Sequence, residues 1–138
     1  MKPDGMTALL SSFGPTETMK RFEEAVIARG IANLGRIDHA AAAAKVGLEL
    51  RPTEVLIFGN PTAGTPLMQA AQTMGIDLPL RALVWQDEDG KTWLAYNDPR
   101  WLATRHGASV GTDRILDAMT ATLADIAREA TGAPLNVS

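Results

Sequence analysis

Glu54-Val55-Leu56-Ile57-Phe58-Gly59-Asn60-Pro61-Thr62-Ala63-Gly64-Thr65-Pro66-Leu67-Met68-Gln69 is the stretch around which the chain is organised. Val55–Phe58 is a short apolar run, partly β-branched, and reads as a buried strand. Gly59-Asn60-Pro61 interrupts it, because proline cannot continue a ladder. Thr65-Pro66 has the form of an N-cap followed by proline at the first helical position. The helix expected from there runs to about Met74 and stops at Gly75. A strand aimed at a helix N-terminus leaves backbone N–H groups free, which suits an anion.

Upstream, Met6–Phe13 reads as a first strand and Gly14-Pro15-Thr16 opens a helix. Met19, Phe22, Val26 and Ile27 recur on one side of that helix, and Gly30 ends it. Ile31–His39 reads as a second strand and Ala40–Val46 as a short alanine-rich helix. Downstream, Leu80–Gln86 and Lys91–Tyr96 flank the polar tip Asp87-Glu88-Asp89-Gly90 and form a hairpin. Asp98-Pro99 starts a short helix that Gly107 stops. Thr112 is placed to cap a long helix with the stripe Ile115, Leu116, Met119, Leu123, Ile126 and Ala130. Strands do not alternate strictly with long helices, so a doubly wound parallel sheet fits poorly. The fold expected is α+β: two layers, a mainly antiparallel sheet with two long helices on one face. Residues 1–5 and 133–138 read as loose tails of a single domain.

Bulk properties narrow the function. At 138 residues the chain holds one core. A net charge of −3 argues against a nucleic-acid surface, which needs clustered Lys and Arg. No stretch approaches the ~20 apolar residues of a membrane-spanning helix, and Met1-Lys2-Pro3-Asp4-Gly5 lacks an apolar signal core. A cytoplasmic location is the expectation. Zero Cys excludes disulfides and thiolate chemistry. The two histidines, His39 and His106, lie on different segments without the ligand spacing of a metal site, so neither a metal nor a cofactor is expected.

Several segments then match a known pattern in order: Ile37-Asp38-His39-Ala40, Leu50-Arg51-Pro52-Thr53-Glu54 through Pro61, and Gly64-Thr65-Pro66-Leu67-Met68. Leu78-Pro79-Leu80-Arg81 and Tyr96-Asn97-Asp98-Pro99 complete it. From about Gly14 to His106 the chain resembles the prokaryotic family called domain of unknown function 302. The resemblance implies a fold similar to the TATA-box-binding protein, often as a homodimer. It does not imply DNA binding, since fold does not carry function.

The candidate chemistry centres on the Gly59–Pro66 junction. Its two glycines are spaced as in a phosphate-binding loop, but Thr65 and Pro66 stand where Lys and Ser or Thr belong, so nucleotide hydrolysis is not expected. Asn60, Thr62 and Thr65 are the candidate ligand-binding residues for a small molecule, an anion included, with His39 and Tyr96 as polar neighbours. The plainer role of Asn60 and Thr65 is to close a turn and cap a helix. Asp38 is placed to cap the alanine-rich helix. His39 is the candidate general acid or base if the protein is an enzyme acting on a carbonyl or phosphate compound. A protein-interaction role is the third alternative. By strand parity, Leu83 and Trp85 oppose Ala82 and Val84, so one pair faces away from the long helices. Covering that second face is the sequence's own reason to expect a homodimer. The tip Asp87-Glu88-Asp89 lacks the spaced ligands of a calcium loop and reads as a solvated turn.

Overall fold

The structure, a computed structural model, describes residues 2–133, and the expected loose ends at Met1 and 134–138 lie outside the described residues. Five strands, β1 (Met6–Leu10), β2 (Ala32–Asp38), β3 (Thr53–Gly59), β4 (Leu80–Gln86) and β5 (Thr92–Asn97), form one sheet in the order β1-β5-β4-β3-β2. Every neighbouring pair is antiparallel. The helices are α1 (Pro15–Ala28), α2 (His39–Lys45), α3 (Pro61–Ala70), α4 (Pro99–His106) and α5 (Asp113–Thr131), and a 3₁₀ turn spans Gln72–Ile76. The α+β class and the antiparallel sheet are as the sequence predicts. The first strand is shorter than Met6–Phe13, because the backbone leaves the ladder at Leu10.

Side-chain alternation along the strands divides the sheet into two unlike faces. Leu56 and Phe58 of β3, Ala82 and Val84 of β4, and Leu94 and Tyr96 of β5 point into the core. Met19, Phe22 and Val26 of α1 meet them there, with Leu123, Ile126, Ala127 and Ala130 of α5. Phe22 stands edge-on to Phe58, ring centroids 5.3 Å apart at 68°, an arrangement that places a ring edge against a π face. A second, smaller cluster joins Leu67 of α3, Met74, Leu102 and Ala103 of α4, Ala108, and Leu116 of α5. Helix α5 therefore serves both clusters, Leu116 in one and Leu123 onward in the other.

The other sheet face carries Val55, Ile57, Leu83, Trp85 and Trp93, all only partly buried. Register sets Val55 against Leu83 and Trp85 against Trp93. The two tryptophans stack with centroids 6.3 Å apart at 19°. Trp93 also donates its indole N–H to Asp87 at 2.8 Å, and Asp87 accepts the Asp89 and Lys91 amides as well. The acidic tip is thus a built turn at Asp87 and a solvated one only at Glu88 and Asp89. These hydrogen bonds, the indole's first, hold the Asp87 carboxyl below its ordinary pKa.

At the far edge, Gly5 sits at φ 76°, and a Cβ there would fall 2.2 Å from the Trp101 ring. Only glycine lets the indole lie on that backbone. The Gly5 carbonyl accepts the Asp98 amide at 2.7 Å, closing the start of β1 onto α4.

Candidate functional site

Strand β3 ends at Gly59, and the chain turns at once into a helix. Here the structure corrects the expected start at Thr65-Pro66. Asn60 is the cap, accepting the Thr62 amide on Oδ1 at 3.0 Å, and Pro61 takes the first helical position. Two cap-then-proline signals compete within six residues, and the one next to the strand wins because Asn60 is already extended, at φ −139° and ψ 116°. Pro66 consequently lies inside α3, and the helix ends at Ala70 before the 3₁₀ turn that carries Gly75.

The early start changes what the junction offers chemically. Pro61 has no N–H. The Thr62 amide is taken by the Asn60 side chain, and those of Ala63 and Gly64 by the Asn60 carbonyl, at 3.0 and 2.9 Å. The first-turn donors expected to face an anion are therefore satisfied internally.

Beside the junction lies a groove of about 800 Å³, within the size range of small-molecule sites. It runs along the seam between the two core clusters. Ile31 and Leu34 line it from β2 and the residue before it, Phe58 and Gly59 from the end of β3, and residues 62–65, Met68 and Leu78 from α3 and the segment after it. Ile115, Met119 and Leu123 line it from α5. Its surface is mostly aliphatic; the polar side chains are Arg29, Asn60, Thr62, Thr65 and Thr122. Asn60, Thr62 and Thr65, all expected from the sequence, are brought together here.

His39 and Tyr96 are not among the lining residues, which corrects their expected place as polar neighbours. His39 opens α2 and is exposed. Tyr96 points into the main core, 7% exposed. Burial, helped by nearby Asp98, raises its pKa and keeps the phenol neutral. Asp38 does cap α2, accepting the Ala41 amide at 2.9 Å. Thr112 occupies the cap position of α5, but the expected side-chain cap is corrected: its hydroxyl donates to the Ala108 carbonyl at 2.6 Å instead of accepting from the helix.

Arg29, Met68, Leu78 and Thr122 are lining residues the sequence reading did not single out. Thr122 was open to detection, as a hydroxyl beside the apolar stripe of α5. Arg29 was not, since its place depends on how α1 ends against α5. Its guanidinium meets Glu129 at 2.7 Å and the Ala25 carbonyl at 3.1 Å. The hydrogen bond to Glu129 raises its pKa.

A polar cluster outside the groove ties the 3₁₀ turn to α4. Thr73 Oγ1 lies 2.9 Å from His106 Nδ1, while His106 Nε2 and Arg105 both bond the Asp77 carboxylate. Burial of Asp77 opposes its charge, but the bonds from His106 and Arg105 outweigh it and its pKa falls below the ordinary value. A depressed carboxylate pKa stabilises the fold above the unfolded value of about 3.9 and loses that contribution as pH falls through the folded one. Asp77→Asn is expected to cost about 1–3 kcal/mol at pH 7. Its melting temperature should also fall less than that of the wild type between pH 5 and pH 2. Parallel acid slopes in calorimetry would refute this role for Asp77.

The sequence profile described as domain of unknown function DUF302 matches residues 7–126. The chain belongs to the DUF302 family. A crystal structure of an uncharacterized conserved DUF302 protein from Bacillus stearothermophilus superposes with a TM-score of 0.81 at 21% identity. That superposition covers 93% of this chain and 99% of the other, and establishes the shared fold. Curated relatives include a protein called fluoride-specific ion channel FluC 1 of Brucella suis biovar 1 (strain 1330), 42% identical over 128 residues. The match covers 93% of this chain and 50% of that protein. The protein of the same name in Brucella abortus biovar 1 (strain 9-941) is also 42% identical, with 47% of it covered. The DUF302 chain therefore spans about half the length of these relatives. Its fold is two-layered and similar to the TATA-box-binding protein, as the sequence resemblance implied.

Proposed function

We propose that this DUF302 domain binds a small molecule in the groove beside Asn60–Thr65. The observation that carries the reading is an apolar cleft of about 800 Å³ with its few polar side chains concentrated at Asn60, Thr62 and Thr65. Such a combination is typical of sites that bury most of a ligand and orient it with a few hydrogen bonds. The alternative of an enzyme using His39 loses support, because that imidazole lies away from the groove. Native mass spectrometry of freshly purified protein, repeated under denaturing conditions, tests the proposal. An excess mass that disappears on denaturation is the expected result. A bare polypeptide mass, combined with no thermal shift from any member of a metabolite and lipid panel, overturns it.

The reading includes a homodimer. Leu83, Trp85, Val55 and Ile57 form a partly exposed apolar sheet face, and a second copy supplies cover of the same chemistry. A cytoplasmic location accords with this. No helix among the described residues is long and apolar enough to cross a membrane.

A further inference from the structure

We infer that the groove takes a neutral amphiphile: an apolar chain or ring system carrying one hydroxyl, carbonyl or amide head. This rests on the reading of the groove as a ligand site and narrows it by charge. The apolar contribution comes from Ile31, Leu34, Phe58, Leu78, Met119 and Leu123. Methionine and aliphatic side chains adapt to irregular shapes and match a hydrocarbon body. An ionic head placed against them loses hydration that the groove does not replace.

Two observations argue against a phosphate or carboxylate. First, the N-terminal turn of α3 has no spare donor. Pro61 lacks an N–H, and the amides of Thr62, Ala63 and Gly64 are held by Asn60 at 2.9–3.0 Å. Second, among the described residues Arg29 is the one charged side chain of the lining, and Glu129 lies 2.7 Å from its guanidinium. The pair brings no net positive charge to attract an anion. What remains is neutral. Asn60 spends Oδ1 on its cap, so its amide NH₂ is left to donate. Thr62, Thr65 and Thr122 present hydroxyls that have no side-chain hydrogen bond among the described residues. Hydroxyl and amide groups contributed by the α3 junction and by α5 hydrogen-bond an uncharged polar head in both directions.

The test uses delipidated full-length protein and the neutral dye Nile red as reporter. Dodecanol, dodecanoate and dodecyl phosphate share one chain and differ in the head, and each is titrated below its aggregation limit to displace the dye. The expected result is that dodecanol displaces Nile red at concentrations at least tenfold lower than dodecyl phosphate, with dodecanoate closer to the phosphate. Ala118→Trp, which fills the groove from the exposed side of α5, should abolish dye uptake. Thr62→Trp does so from α3 and serves if the first variant does not fold by circular dichroism. Displacement by the charged heads at equal or lower concentration, lost in Arg29→Gln, overturns the neutral class while leaving the groove as the ligand site. Dye uptake that folded Ala118→Trp and Thr62→Trp both leave unchanged overturns the groove itself. No dye uptake by the wild-type protein overturns both.

Discussion

Phe22→Ala is expected to be the most damaging single substitution in the core, costing about 3–5 kcal/mol. The side chain is fully buried, and its ring meets Phe58 edge-on at 5.3 Å between helix α1 and strand β3. Truncation removes both the buried ring and the partner of Phe58, and the surrounding aliphatic side chains cannot collapse fully into the space. Against a total stability of about 5–15 kcal/mol, that is a large fraction. Equilibrium urea denaturation should show a lower midpoint with an unchanged slope, and a melting temperature lower by about 10–20 °C. Phe22→Leu, which keeps most of the volume, should lose about half as much or less. Because Phe58 also lines the groove, the alanine variant should weaken ligand uptake before it unfolds. A loss below about 1 kcal/mol would mean the α1–sheet contact is not the main core.

Leu83→Glu is expected to convert a dimer to a monomer while leaving the fold intact. Leu83 is in register with Val55 on one side and Ala95 on the other, near the middle of the open sheet face. A carboxylate there stays hydrated in the monomer, since the side chain is only partly buried. Pressed against a second apolar sheet, it would have to be desolvated without a partner. Truncating a central anchor of an interface costs about 2 kcal/mol or more, which is a dissociation constant raised roughly 30-fold. A buried charge does more. Sedimentation equilibrium at several protein concentrations measures this directly. A wild-type protein that is monomeric at every concentration removes the dimer from the proposal. A Leu83→Glu dimer as tight as the wild type would move the interface elsewhere. Candidates for that other surface are Val46 and Leu48 after α2, 71% and 65% exposed.

Local signals carried much of this protein. The 3.6-residue stripes of Met19–Val26 and Ile115–Ala130, the β-branched run before Gly59, and Gly107 after α4 each act within a few residues, so the elements follow directly from the chain. Strand alternation likewise separates Ala82 and Val84 from Leu83 and Trp85. Where two local signals compete, a local reading fails. Asn60-Pro61 and Thr65-Pro66 have the same form, and the conformation in which β3 delivers the chain selects the first. That selection uses up the amides an anion would need, and so alters the chemistry of the site. His39 and Tyr96 are expected from the sequence as polar neighbours of the Gly59–Pro66 junction. The pairing of β2 with β3 and of β4 with β5 carries both elsewhere. The sequence by itself determined most of the elements and the two faces of the sheet, because each depends on neighbours one turn or one strand residue away. Tertiary structure alone decided the groove, its Arg29–Glu129 pair and its aliphatic walls. Those arise from residues of α1, β2, α3 and α5 that meet only when the two helical clusters close on the sheet.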